Sequence, residues 1–278
     1  MGVTRQAVYQ CEQRQRQRRK DLEPVKAMVF KVRCCLPRLG TRKLYHLLRP
    51  ELQKAEIKLG RDALFDYLRH HQLLIRPRRS YTKTTFSKHW MRKHPNLLKD
   101  IVISRPEQAF VSDITYVESA QGVHYLSLVT DACSRKIMGH ELSHEMKASD
   151  TLKALQQAVS QRQTDAPLLH HSDRGLQYCS AIYQSELAAH AIKPSMTDGY
   201  DCYQKNALAE RVNGILKQEF LFYRCQTFED LKVLVAESVD AYNQLRPHLS
   251  LGMKTPEEVH KKACCEAQQA KSKTVNVF

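Results

Sequence analysis

One stretch of this chain, residues 195–220, places Asn206, Glu210, Asn213 and Lys217 at helical spacing, so the four share a hydrophilic face. A carboxylate followed two turns later by a lysine could hold a metal and touch a phosphate together. The same pattern also describes the wet side of an ordinary amphipathic helix, whose apolar stripe would be Leu208, Val212, Ile215 and Leu216. Asp113, in V-S-D-I-T-Y, shares one face of a β-rich run with Val111, Thr115 and Val117. Burying a carboxylate there is costly unless it is compensated, so it is a site acid, a hydrogen-bonded structural acid, or exposed. Asp173, in H-H-S-D-R-G-L-Q-Y, follows an apolar run, where ligand-binding residues of α/β sheets collect; a turn aspartate near a glycine is the plainer reading. Together, two aspartates at strand positions and a glutamate on a later helix can converge on hard divalent cations, which take oxygen ligands. Two such ions about 3.5–4 Å apart support in-line phosphoryl displacement without a protein nucleophile. No Ser-His-Asp or Cys-His arrangement and no P-loop glycine signature competes with that reading.

These residues must be positioned by a sheet and a late helix. Residues 108–119, 123–133 and 136–143 read as three strands joined by tight turns, an antiparallel meander. Helix 148–162, strand 167–171, a helix near 181–190 and strand 192–196 follow, then helices 206–223 and 228–245 and a short one near 255–258. A meander that passes into alternating helices and strands predicts an α/β fold, a mixed sheet covered by helices. Upstream, Thr4 is a candidate cap for an opening helix, and 13–20 is a charge run. Helical patterns at 40–49 and 60–74 suit a helix-turn-helix, with Arg61 and Arg69 off the apolar face of the second helix. The stretch 76–94 mixes basic residues, including Arg76, Arg78 and Arg79, with Tyr81, Phe86 and Trp90, and is expected to track phosphates.

Charge supports a polyanionic partner. Of a net +15, residues 1–100 hold 25 Lys/Arg against 8 Asp/Glu, while the other 178 hold 19 against 21. A basic arm on a neutral globule points to nucleic acid. Nine scattered cysteines without a C-x-x-C pair argue for reduced thiols rather than a disulfide framework or structural zinc. No apolar run reaches the ~20 residues of a membrane span, so no membrane partner is expected, and the reduced thiols point to a cytoplasmic location.

The pieces D-I-T-Y (113–116), Y-L-S-L-V-T-D-A-C-S-R-K-I-M-G (125–139), H-S-D-R-G-L-Q-Y (171–178), N-A-L-A-E-R-V-N-G-I-L-K-Q-E (206–219) and Y-N-Q-L-R-P-H-L-S-L-G-M-K-T-P-E-E-V (242–259) occur in this order. With P-R-L-G-T-R-K-L (37–44) upstream, they resemble the second-frame DDE transposase of the bacterial insertion-sequence family called IS-three, with its retroviral-integrase-like core. The resemblance covers nearly all of residues 30–260. It implies a ribonuclease-H-like core and a catalytic, metal-binding triad of Asp113, Asp173 and Glu210, using Mg²⁺ or Mn²⁺, in all two ions. Lys217 matches the family's DNA-contacting basic residue, with Asn213 and Arg211 as further candidates; Asp131 is read as a turn acid outside the triad. Phe110 stands where the family has tryptophan and is expected to pack similarly. Thirty-six residues separate Asp173 from Glu210, one more than is usual, and the extra one is expected in the turn segment 198–205.

The division implied is a basic helical arm (1–29), a helix-turn-helix DNA-binding region (30–79), a basic linker (80–104), the catalytic core with C-terminal helices (105–265) and a tail (266–278). The expected activity is binding of an element's terminal inverted repeats, 3′-end cleavage and strand transfer. It would be performed by an oligomer on double-stranded DNA, with a first-frame protein as separate chain or frameshift fusion. The alternatives are a catalytically inactive DNA-binding regulator, or a ribonuclease-H-like nuclease without strand transfer.

Overall fold

The computed structural model describes residues 4–76, 91–197, 206–263 and 265. Arg78, Arg79, Tyr81, Phe86, Trp90 and the segment 198–205 lie outside the described residues. The chain divides into two units, 1–77 and 78–278. The boundary expected at 29/30 falls inside a helix.

The first unit is helical. Helix α1 spans Arg5–Asp21, with Thr4 accepting a hydrogen bond from the Ala7 amide as its cap. It is followed by α2 (Glu23–Cys35), α3 (Thr41–Lys54) and α4 (Arg61–His70). The core of this unit is aliphatic: Val25 and Val29 of α2, Leu44, Leu48 and Leu52 of α3, and Leu64 and Leu68 of α4 are all buried. Spacing of four residues places each set on one helix face. Extended Gly40 and Gly60 precede α3 and α4. α3 runs five residues past the expected 49, continuing through Pro50.

The second unit is built on a five-stranded sheet in the order β3-β2-β1-β4-β5. Its strands are β1 (Ala109–Ser119), β2 (Gly122–Asp131), β3 (Ile137–Ser143), β4 (Leu169–Ser172) and β5 (Lys193–Met196). β1, β2 and β3 form the antiparallel meander, whereas β4 pairs parallel to β1 and β5 parallel to β4. This is the ribonuclease-H-like architecture that the resemblance implies. The β1–β2 turn closes at Gly122, whose φ of 133° favours glycine. Helices α5 (Ala148–Ser160), α6 (Leu176–Cys179) and α7 (Ala181–Ala189) cover one face. Phe110 is fully buried there with Met138, Ala154, Tyr178 and Tyr183, the packing expected of it. Gly139 lets β3 approach α5 so closely that a Cβ there would overlap the Ala154 carbonyl.

The last helices close the fold. α8 (Ala207–Ile215) continues as one π-helical segment, Leu216–Phe220, and stops there rather than at 223. The α9 helix (Phe228–Gln244) starts with a Thr227–Asp230 capping box, and a final helix, α10, spans 256–263. The α9 end is anchored by polar contacts. Asn243 exchanges two hydrogen bonds with the Ile137 backbone, and the Tyr242 hydroxyl donates to the Arg135 carbonyl. Arg246, 1 % exposed, pairs with both oxygens of Glu219 at 2.8 and 2.6 Å. Among the described residues no helix is long and apolar enough to cross a membrane.

Candidate active site

Adjacent parallel strands bring the two aspartates together. Val111 of β1 pairs with His171 of β4, and continuing that register sets Asp113 level with Asp173. Asp113 is half-buried in mid-strand, flanked across β2 by Leu128. Asp173 lies immediately beyond β4, where its Oδ1 accepts from the Gly175 amide at 2.9 Å. A Cβ at Gly175 would stand 3.0 Å from that oxygen, so glycine allows the turn to close on the carboxylate.

Helix α8 lies along the Asp113 face of β1, and its polar side chains make the contact. The Asn206 amide donates to the Ser112 carbonyl at 3.0 Å. Asn213 donates to Asp113 Oδ2 at 2.7 Å, and Lys217 to Thr115 Oγ1 at 3.0 Å while lying over the Tyr116 ring. Asn206 and Asn213 are buried, so this face is no solvent face; it aligns the helix on the strand. Glu210, one turn from each asparagine, is exposed, as is Arg211.

The electrostatics tie the three acids to one another. Burial, then the charge of Asp173 and, more weakly, of Glu210 push the Asp113 carboxyl up to about 7, against the Asn213 hydrogen bond. Burial and Asp173 likewise raise Glu210. Burial lowers the Lys217 ammonium, with Asp113 and Glu118 opposing it. Among the described residues no three His, Cys, Asp or Glu side chains form a closed ligand cluster. The donor chemistry nevertheless fits a hard divalent cation: Asp173 raises the proton affinity of both Asp113 and Glu210, and the buried Asn213 Oδ1 beside Asp113 has no hydrogen-bond partner.

Asp131 differs. It is fully buried and accepts from the amides of Glu107, Cys133 and Ser134 and from the Ser134 hydroxyl. It holds the β2–β3 turn.

Sequence reasoning missed Tyr178. Its hydroxyl is buried without a hydrogen-bond partner, and its phenol is raised by burial, by Tyr183 and by the charges of Asp173 and Asp113. The signals were its place five residues after Asp173 and at the end of the piece H-S-D-R-G-L-Q-Y (171–178). In the first unit, exposed Arg61 and Arg69 of α4 pair with Asp62 and Asp66. Arg76 is exposed, and its carbonyl accepts from Arg38.

An integrase core domain family matches residues 103–202, and a second integrase core domain family matches 190–256. The chain is 32 % identical over 260 residues to the insertion element IS600 uncharacterized 31 kDa protein of Shigella sonnei, covering 92 % of this chain and 94 % of that one. It is 33 % identical over 198 residues to transposase InsF for insertion sequence IS3A of Escherichia coli (strain K12), covering 70 % and 68 %. This chain belongs to the IS3 family of DDE transposases. The transposase is also similar to the HTLV-2 integrase catalytic core domain in complex with magnesium, at 22 % identity and a TM-score of 0.46, covering 56 % of this chain and 97 % of that one. The BIV integrase catalytic core gives 17 % identity and a TM-score of 0.46, covering 60 % and 99 %.

Proposed function

We propose that this DNA transposase binds the terminal inverted repeats of its element, cleaves each 3′ end with water, and uses the freed 3′-hydroxyl to attack a second DNA strand. The observation that carries the reading is the placement of Asp113 on β1, Asp173 at the end of β4 and Glu210 on the helix across them, with Asp173 raising both of the others. Asp113, Asp173 and Glu210 are the catalytic and metal-holding residues in this reading. A divalent cation between them, Mg²⁺ or Mn²⁺ and in all two ions, would supply activation of the attacking oxygen and offset charge on the leaving one.

The chain's own groups prepare that site. Asn213 orients Asp113, and the Gly175 amide orients Asp173. Lys217 spends one of its three protons on Thr115 and keeps donors for a phosphate beside Asp113. Arg211 lies exposed on the same helix as a second DNA contact. Arg61, Arg69 and Arg76 of the first unit, together with Arg78 and Arg79 beyond it, would hold the ends through phosphates and groove edges. Joining two ends requires an oligomer on double-stranded DNA, and a first-frame protein is the proposed partner. The place of action is the bacterial cytoplasm, at the nucleoid.

The test is a strand-transfer assay on end-labelled DNA carrying the element's termini, with Mg²⁺ or Mn²⁺. Joined products that vanish with Asp173→Asn support the reading. A wild-type protein that binds the ends yet neither cuts nor joins with either metal, even with the first-frame protein added, would sink it.

A further inference from the structure

Helix α1 presents a surface that the mechanism above does not use. Residues 5–18, Lys20 and Asp21 are all exposed, and none joins the aliphatic core of the first unit. A stable helix that is polar all round leans on ion pairs one turn apart. None forms among the described side chains of α1: Arg5, Arg14, Arg16, Arg18 and Lys20 have no carboxylate partner there. Elsewhere in the unit, exposed Lys31, Arg61 and Arg69 pair with Glu51, Asp62 and Asp66. Arg14 with Arg18, and Arg16 with Lys20, instead set like charges one turn apart, which opposes the helix. A polyanion would supply the missing compensation.

Helical spacing sorts these residues further. At about 100° per residue, Gln6, Gln10, Gln13 and Gln17 fall in one stripe about 60° wide. Arg16 and Lys20 stand about 50–90° to one side of its centre line, and Arg14 and Arg18 about 70–110° to the other. Gln13 and Gln17, with Arg14, Arg16 and Lys20 around them, line one open concavity of about 440 Å³. Gln17 donates to Asp21 at 2.9 Å, while Gln6, Gln10 and Gln13 have no hydrogen-bond partner among the described residues. Glu12 faces about 130° away from the stripe.

Two cation rows on opposite flanks of a helix about 10–12 Å across match a groove walled by phosphates on both sides, and the major groove of B-DNA is about 12 Å wide. Inside it, a glutamine side chain can make paired hydrogen bonds to N6 and N7 of adenine. A single strand would call for stacking aromatics, of which α1 has only Tyr9, and a membrane surface would call for an apolar face. We propose that α1 lies in the major groove of the element's end duplex, with Gln10 and Gln13 reading adenine edges and the flanking rows holding phosphates of the two strands. The inference rests on the transposase reading for the DNA, not on turnover, and it gives the first unit a base-reading helix besides α4.

The test titrates the full chain, without divalent metal, onto duplexes carrying an element end or a scrambled sequence, across a salt series. Arg14→Gln, Arg16→Gln, Arg18→Gln and Lys20→Gln, combined, should weaken both duplexes alike and flatten the slope of log K against log salt by about 3–4. Gln10→Ala with Gln13→Ala should leave that slope and the scrambled duplex unchanged, yet lower the preference for the end at least ~10-fold. Replacing the contacted adenines by 7-deazaadenine should cost the wild type the same preference and the glutamine variant nothing further. Every replaced side chain is exposed and every replacement is a good helix former, so the thermal midpoint should stay in place. An unchanged slope in the fourfold variant, or an end preference that is absent from the wild type or survives the glutamine variant, overturns the proposal. Tighter binding to the end's single strand than to its duplex overturns it too. A wild type that prefers the ends through α1 but fails to join them with Mg²⁺ counts against the catalytic reading alone.

Discussion

Asp113 and Asp131 sit on neighbouring strands, three residues apart across the β1–β2 ladder, where Phe110 faces Asp131 and Asp113 faces Leu128. Burial raises both carboxyls first of all. Their company then separates them. Asp131 is ringed by donors: three backbone amides, the Ser134 hydroxyl and, at longer range, His260. Asp113 receives one side-chain bond, from Asn213, one backbone bond, from Ile114, and the charge of Lys217, against the charges of two further acids. Burial alone therefore does not mark a functional acid. Asp131 has its charge satisfied by donors of the protein itself; Asp113, whose neighbours include two acids, is the one proposed to take a cation from outside.

The widest separation should appear in activity. Asp173→Asn or Glu210→Gln should lower strand transfer at least ~10³-fold, about 4 kcal/mol of barrier, with the thermal midpoint barely changed. A parallel collapse of the midpoint would place these acids with Asp131. Next comes Arg246→Met, which removes the two charge-assisted hydrogen bonds to Glu219. It should destabilise the core by about 3–5 kcal/mol in denaturant titration and reduce binding and joining in step with the folded fraction. Asp131→Asn should cost about 2 kcal/mol in the same titration, because an amide NH₂ replaces an acceptor facing several donors. Catalysis per folded molecule should not change.

The smallest effects are in pH, and they run in opposite directions. Folded Asp113 titrates near 7, above its ordinary 3.8, so the folded state holds that proton more tightly. Metal-free protein should lose stability as pH rises from about 4 to 7, and Asp113→Asn should flatten that limb by on the order of 1–2 kcal/mol. Glu107 is the reverse. Burial pushes it up, but hydrogen bonds from His260, Gln163 and Thr164 outweigh this and hold it at about 2, below its ordinary 4.5. Its contribution is present above about 4.5 and fades as pH falls toward 2, and Glu107→Gln should flatten that acid limb. Chemical denaturation across pH 2–8 reads both slopes.

Much of this was legible in the residues. Alternation and turn residues delimit the meander, helical spacing delimits α5, α7 and α9, and the short pieces around Asp113, Asp173 and Glu210 pointed to the acids before any geometry. What escaped was mostly contact between distant parts. Period tells which side of a helix is polar, not what that side touches, so the Asn206–Lys217 face could read as a metal- and phosphate-facing surface or as the wet side of a helix, and its rest on β1 went unseen. The Arg246–Glu219 pair and the Glu107–His260 contact join residues far apart in the chain, and no local rule foretells either. Tyr178 is hidden for another reason: an aromatic in an apolar helix reads as packing, and only coordinates reveal its hydroxyl near two carboxylates.

The π-helical segment Leu216–Phe220 has one more consequence. It works as a phase joint. Upstream, Asn206 and Asn213 keep α-helical step with β1, with Glu210 on the turn between them; within the joint, near its end, Glu219 is clocked separately onto Arg246. Removing one residue from the joint, such as Gln218, would swing Glu219 by about 100° while leaving the upstream acid in place. An indel there should uncouple anchoring from catalysis, whereas an indel inside 207–215 would damage both. Length variation among copies of such an element should accordingly be tolerated in loops, restricted at the joint and absent from the α8 helix.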